Sequence, residues 1–211
     1  MPAPDPVTLC PVTTESVKTR SPREMEIIRS AYRMMANRGS HRLTLLDIAT
    51  EAGVSKALLL YHFGTKDALL YAAMEWALDR TAHRIRRRVE PDMTGREAIA
   101  AVLDVVFVDA EMNRDFYLFY LDLVEHASRV PRFGELSTML TEVINGLYAE
   151  VIQTGVADGS FTVTDVDLAA RHMRALIEGT FLQWMQTNDW RNNHGVWRDE
   201  CRKAVLGLLG A

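Results

Sequence analysis

The sequence of 211 residues has only two cysteines, Cys10 and Cys201, near its opposite ends. Two thiols so far apart in sequence match neither a disulfide framework nor a metal-binding spacing. We expect both to remain reduced in the cytoplasm. No secretory signal begins the chain, and no apolar stretch of transmembrane length is free of charges. These absences predict a cytoplasmic protein without a membrane span, a metal or a cofactor.

The sequence also lacks the short patterns that mark common enzyme sites. It has no glycine-rich phosphate loop, no H-E-x-x-H and no G-x-S-x-G. Its 6 histidines are scattered along the chain, and neither cysteine has an evident catalytic partner. We therefore expect a protein that binds other molecules and does not catalyse a reaction.

An overall excess of positive charge is absent, because the formal net charge is -4. The charge is nevertheless unevenly distributed. Residues 18–66 carry 9 Lys and Arg against 4 Asp and Glu, whereas residues 67–211 carry 15 against 22. A basic module on an acidic body is typical of a DNA-binding protein with a second domain, although ordinary solvated surface would give a similar distribution.

Strand patterns are missing too, and helical periodicity predicts an all-α fold with about nine helices. We divide the chain into a disordered Pro- and Thr-rich arm (1–20), a three-helix module (21–66) and a larger helical domain (67–211). Outside the short helices of the module, the predicted helices cover residues 23–38, 66–88, 94 to about 112, 114–127, 132 to about 157, about 165–187 after a Thr164 cap, and 196–209.

Two short helices joined by a tight turn are predicted between residues 43 and 66. Thr44 is placed to cap the first helix, with Asp47 at the matching capping-box position. Gly53 suits the left-handed residue that ends it, and Ser55 is placed to cap the second. This arrangement is the helix-turn-helix pattern, whose second helix enters the major groove of DNA. Its first turn carries Lys56 and Ala57, which suit guanine and a thymine methyl group respectively.

The two segments T-L-L-D-I-A-T-E-A-G-V-S-K (44–56) and L-Y-H-F-G-T-K-D-A-L-L (60–70) resemble the DNA-binding signature of TetR-family transcriptional regulators. One departure is Leu60, which stands where an aromatic residue, usually Tyr, is common. The resemblance implies base contacts from Lys56, Ala57 and Leu60. It implies phosphate contacts from Thr44, Ser55, Tyr61, His62 and Lys66.

The same resemblance implies a small-molecule pocket in the larger domain. Its apolar or aromatic candidates, with two polar ones, are Trp76, Phe107, Asn113, Phe116, Tyr120, His126, Met139, Met173, Phe181 and Trp184. Further polar anchors would be His172, Glu178 and Gln183. The 10 methionines and the aromatic residues favour an apolar or aromatic effector. The arginines at positions 84, 86, 87 and 88 are interpreted as a solvated helix end that complements the helix dipole.

The last two helices are expected to pair with a second copy of the chain, again by resemblance. The candidate interface residues are Leu176, Gly179, Thr180, Gln183, Ala204 and Leu208. The resulting hypothesis is a homodimeric repressor that binds a palindromic DNA operator and is released by an effector. Two alternatives stay open: a transcriptional activator, and a helical ligand- or partner-binding protein whose helix-turn-helix has lost its DNA function.

Overall fold

The computed structural model describes residues 20–211, so the predicted arm lies outside it apart from Arg20. Over this range the chain forms nine α-helices, one 3₁₀ turn and no strand, which confirms the all-α prediction. The helices are α1 (Pro22–Arg38), α2 (Leu45–Glu51), α3 (Lys56–Phe63), α4 (Lys66–Arg88), α5 (Gly95–Val106), α6 (Ala110–Ala127), α7 (Pro131–Ala157), α8 (Val166–Met185) and α9 (Trp190–Leu208), with the 3₁₀ turn at Ser40–Arg42. None of the helices in this range is both long and apolar enough to cross a bilayer.

The caps of α2 and α3 form as the sequence predicts. The Thr44 hydroxyl accepts a hydrogen bond from the Asp47 N–H, and the Asp47 carboxylate accepts one from the Thr44 N–H. The α2 helix is followed by Gly53, at φ 62°, and Ser55 accepts from the Leu58 N–H. These local bonds satisfy amides that a short helix leaves unpaired, so they fix the turn between the two helices.

Four predicted helix boundaries are wrong. The helix predicted to reach about residue 112 ends at Val106, because Phe107 leaves the helical conformation. The next helix begins at Ala110 instead of residue 114, because Asp109 caps it. The cap of α8 is Asp165 instead of Thr164, since the Asp165 carboxylate accepts from the Leu168 N–H at 2.9 Å. The last helix begins earlier than predicted, at Trp190.

Aromatic side chains form the centre of the larger helical body. The ring of Phe181 stacks on Phe107 at 4.3 Å and on Tyr117 at 4.1 Å, between ring centroids. Trp184 is fully buried, and its indole N–H donates to the Trp190 carbonyl at 2.8 Å. This cluster ties α8 to the loop after α5, to α6 and to α9.

The helix α1 packs against α4 and α6 as well as against α2. Its buried face includes Ile27, Ile28 and Met35. Tyr32 packs against Trp76 of α4 and Phe119 of α6. The three-helix module therefore shares one continuous hydrophobic core with the body, and α1 is the helix that belongs to both.

Two glycines allow α5 and α7 to touch through their backbones. A Cβ atom on Gly95 would lie 2.2 Å from the Cα of Gly155, and one on Gly155 would lie 2.1 Å from Cδ2 of Phe161. Real Cβ atoms do not approach other atoms so closely, so these positions exclude any larger residue unless the helices or the Phe161 ring move.

Gly155→Ala is expected to destabilise the protein by about 1–3 kcal/mol, because its methyl group would overlap the Phe161 ring. The matched control is Gly146→Ala in the same helix, where a Cβ would meet nothing within 4 Å. That change should stabilise by about 0.5–1 kcal/mol, the usual gain from replacing a helical glycine. Urea denaturation followed by circular dichroism measures both, and a stabilised Gly155→Ala variant would contradict the close contact between Gly155 and the Phe161 ring.

Candidate DNA-binding surface and ligand cavity

The helix α3 exposes one face to solvent and packs against the protein with the other. Leu59 is fully buried beneath it. Lys56 and Ala57 are exposed in its first turn, and beyond them Leu60 is 39 % and Tyr61 83 % exposed. This outer face combines an ammonium group, a methyl group, an isobutyl group and a phenol, which are groups that can contact base edges and phosphates.

The structure adds Leu46, which sequence reasoning did not single out. It lies in the first turn of α2 and is 61 % exposed. The sequence carries a signal for it, because the helical spacing that buries Ile48 and Ala49 turns Leu46 outward.

Besides the capping residues Thr44 and Ser55, two more residues predicted to contact phosphates have partners within the protein. Nδ1 of His62 lies 3.5 Å from a Glu24 carboxylate oxygen, with both side chains largely buried. The Lys66 ammonium donates to the Ser40 carbonyl at 2.8 Å. Both residues therefore help to hold the helix-turn-helix in place, and their phosphate contacts stay predictions.

A polar cluster joins the 3₁₀ turn to α6. The Ser40 N–H donates to an Asp122 carboxylate oxygen at 2.7 Å, and His41 pairs with Glu125. The hydrogen bond from His41 holds the pKa of the Glu125 carboxyl below its usual range. Ligand atoms of His41, Asp122 and Glu125 lie within 4.8 Å of one another, which among residues 20–211 makes this the one group with metal-binding spacing. His126 lies here as well, stacked on His41.

A cavity of about 190 Å³ lies between α1, α4, α6, α7, α8 and the end of α5. Five residues predicted for a pocket line it: Trp76, Asn113, Phe116, Tyr120 and Glu178. Sequence reasoning missed a further set that includes Tyr32, Arg80, Arg84, Tyr148 and Arg174. On α4 the signal was present, because Arg80 and Arg84 follow Trp76 at spacings of four and eight residues.

The other residues predicted for the pocket do not line this cavity. Four of them are buried in the aromatic core and its surroundings: Phe107, Met173, Phe181 and Trp184. Met139 is 44 % exposed on the outer side of α7. His126 belongs to the polar cluster beside the 3₁₀ turn, and His172 and Gln183 face solvent on α8. Their placement depends on how the helices pack together, which helical periodicity alone does not specify.

One charged network in the cavity is internally satisfied. Arg174 donates to Glu178 at 2.6 Å and to the Tyr120 hydroxyl at 2.9 Å. The Tyr120 hydroxyl in turn lies 3.2 Å from the same Glu178 oxygen. Asn113 is satisfied too, because its amide donates to the Val106 carbonyl at 2.7 Å and its oxygen lies 2.9 Å from Nε2 of His194.

Arg84 differs from these groups. Its Nε is buried and has no hydrogen-bond partner in the described part of the chain. Burial, followed by repulsion from Arg80, lowers the pKa of its guanidinium. The interpretation of Arg84 as part of a solvated helix end is therefore wrong, because this residue lies on the α4 face that lines the cavity. Burial also raises the pKa of the neighbouring Tyr32 phenol to about 12.

The helices α8 and α9 leave a mixed face open to solvent. Among the residues predicted for a dimer interface, Gln183 and Ala204 are exposed, and Gly179 has open space where a Cβ would lie. Leu176, Thr180 and Leu208 are half-buried. The structure adds three exposed apolar residues that the sequence interpretation did not include: Leu168, Leu182 and Val196.

Lys66→Ala is expected to destabilise the protein by about 1–2 kcal/mol, since it removes the charged donor to the carbonyl of fully buried Ser40. Lys56→Ala is the control, because Lys56 is exposed and its change should stay within about 0.5 kcal/mol. Urea denaturation of both variants measures the difference. Equal stabilities would show that the Lys66 bond does not support the fold.

Comparison with known proteins agrees with this architecture. The model of bacterial regulatory proteins of the tetR family matches residues 27–73. The model of the C-terminal domain of BetI-type transcriptional repressors matches residues 95–208. The HTH-type transcriptional repressor KstR2 of Rhodococcus jostii (strain RHA1) is 27 % identical over 202 residues, which cover 95 % of this chain and 96 % of that protein.

Two further proteins are similar to this chain in sequence or in fold. The HTH-type transcriptional regulator BetI of Brucella canis is 35 % identical over 107 residues, 51 % of this chain and 54 % of that protein. A Saccharomonospora viridis protein solved in complex with choline has the same fold, with a TM-score of 0.79 at 24 % identity over 90 % of this chain and 97 % of that one. From the two family models and these relatives, the chain belongs to the TetR family of DNA-binding transcriptional regulators and is not an enzyme.

Proposed function

We propose that this protein is a homodimeric cytoplasmic repressor that binds an inverted-repeat operator and leaves it when a small molecule occupies the cavity. The observation that carries the proposal is the shared wall of that cavity. Tyr32 of α1 and Trp76 of α4 line it, and α1 and α4 are the helices on which the helix-turn-helix rests. A ligand bound between these helices and the body would therefore affect the orientation of α3.

In this proposal α3 enters the major groove. Lys56 and Ala57 in its first turn face base edges together with Leu60, whose apolar side chain suits a thymine methyl group. Thr44, Ser55 and Tyr61 contact phosphates with hydroxyl and amide groups. His62 and Lys66 reach phosphates only if they leave Glu24 and the Ser40 carbonyl.

The two copies would meet through α8 and α9. Leu168, Leu182 and Val196 supply exposed apolar area on these helices. Gly179 supports close approach of two helix backbones, because nothing occupies the space beside it. A two-fold axis through this face would relate two α3 helices and so match an operator with two-fold symmetry.

The effector would act by preferring one tilt of α4 over another. A ligand shifts such an equilibrium only through a difference in affinity for the two states. The aromatic walls formed by Trp76, Phe116 and Tyr120 support an apolar or aromatic ligand body. The names of the relatives KstR2 and BetI-type repressor support repression as the outcome of DNA binding.

The test is selection of bound duplexes from a random DNA pool by the purified full-length protein, followed by sequencing. Enrichment of an inverted repeat, with half-sites about one helical turn apart, is the expected result. Enrichment of a single unrepeated site would contradict the dimeric arrangement. No enrichment by folded protein, even at low salt, would remove operator binding from the proposal.

Two substitutions separate base contacts from phosphate contacts on the selected operator. Lys56→Ala should relax the preference at one base position per half-site and cost about 1–3 kcal/mol against the preferred base. Tyr61→Ala should weaken binding to all sequences alike, because a phosphate contact carries no base information. Fluorescence anisotropy on single-base operator variants measures both, and uniform losses from the two changes would refute these roles.

A further inference from the structure

The charges around the cavity are unbalanced at one position. Arg174, Glu178 and Tyr120 satisfy one another, whereas Arg84 has a buried Nε without a partner. None of the carboxylates in residues 20–211 lies within ion-pair distance of Arg84. A half-buried guanidinium without a counter-charge is costly, and a protein retains one mainly where something else neutralises it.

The neighbours of Arg84 do not supply that neutralisation. Arg80 repels it and is itself exposed, lying over the Trp76 ring at 5.5 Å. The phenol of Tyr32 carries no charge at physiological pH, and burial raises its pKa further, to about 12. Asp115 also lines the cavity, but burial raises the pKa of its carboxyl and Arg114 is the cation that acts on it. Asp109 attracts Arg84, but its carboxylate caps α6 by accepting from the Met112 N–H and forms no ion pair with Arg84. A ligand anion would therefore supply the directly bonded counter-charge.

From this geometry we infer that the effector is an organic anion, whose carboxylate pairs with Arg84 and whose apolar body lies against Tyr32, Trp76 and Phe116. The inference deepens the proposed function and rests on it, since it names the chemical class that the cavity takes. A guanidinium matches a carboxylate with two parallel hydrogen bonds. A quaternary ammonium such as choline, which the Saccharomonospora viridis protein holds, carries the wrong charge for this position.

The position of Arg84 also couples binding of the anion to the DNA-binding module. Arg84 lies in the second half of α4, and Lys66 at the beginning of the same helix is bonded to the 3₁₀ turn. An anion bound between Arg84 and α6 adds an attraction that exists only in the occupied state. The tilt of α4 that shortens this ion pair is then the tilt that the effector favours.

The test uses ligands that share one body and differ only in charge. One set is 2-naphthoate, 2-naphthamide and 2-naphthylmethyl-trimethylammonium, and the other is octanoate, octanamide and octyl-trimethylammonium. Calorimetric titration of the full-length protein should show at least one carboxylate binding roughly tenfold or more tightly than its amide, with neither ammonium compound nor choline binding. Tighter binding of a cation or an amide, or no carboxylate binding at about 1 mM, would overturn the inference.

Variants of α4 assign the effect to one side chain. Arg84→Met should weaken the carboxylate roughly 10- to 100-fold and leave its amide unaffected. Its melting temperature without ligand should equal or exceed that of the unchanged protein, because a buried unpaired charge is gone. Arg87→Met is the control: Arg87 is exposed on the same helix and does not line the cavity. Unaltered carboxylate binding by Arg84→Met, or a lower melting temperature, would assign Arg84 a purely structural role and overturn the inference.

Arg84→Lys keeps the charge but not the paired donors, so it should bind the carboxylate with an affinity between those of the unchanged protein and Arg84→Met. Operator release is then measured separately by anisotropy. Release by an amide or a cation would keep the effector-controlled repressor and refute only the anion. Arg84-dependent carboxylate binding without any change in operator affinity would support the anion and refute effector control.

Discussion

The packing of Tyr32 between Trp76 and Phe119, at centroid distances of 5.6 and 5.0 Å, connects three helices that serve different purposes. It joins α1 of the DNA-binding module to α4, which leads into the body, and to α6 within the body. Because Tyr32 and Trp76 also line the cavity, the same side chains pack the module against the body and shape the cavity. A structural change in the module or in the body therefore alters the packing of the other, since packed side chains cannot deform freely.

The two ends of the body differ in how tightly they are packed and how completely their polar groups are paired. Where α5 meets α7, Gly95 and Gly155 bring the backbones into contact and leave no space for adjustment. Around the cavity, by contrast, the half-buried Arg84 has a buried Nε without a hydrogen-bond partner among the described residues. An unsatisfied charge of this kind lowers stability, and such costs are typical of sites kept for binding instead of for folding. The body is thus tightly packed at one end and incompletely satisfied at the other.

Much of the fold could be predicted from sequence because its signals are local. Thr44, Ser55 and Gly53 act within three or four residues of their own positions, so capping and turn rules identify them. The cavity could be predicted only in part, because its lining comes from six helices and depends on which aromatic rings pair with one another. Phe107 and Phe181 stack on each other in the core and so do not line the cavity. Arg84 was assigned to solvent because its neighbours are basic, although its helical spacing from Trp76 places it on the same, inward face of α4.

The hydrogen bond from the Ser40 N–H to Asp122 joins residues 82 positions apart, and this separation has a consequence for the order of events during synthesis. A chain made from its N-terminus completes residues 20–66 long before α6 has been translated. Until then α1 lacks Phe119 as a cover for Tyr32, and the 3₁₀ turn lacks its carboxylate. The DNA-binding module is therefore translated first, but its packing against α6 is completed late. On a ribosome stalled within α5, part of the inner face of the module would still be exposed to other proteins.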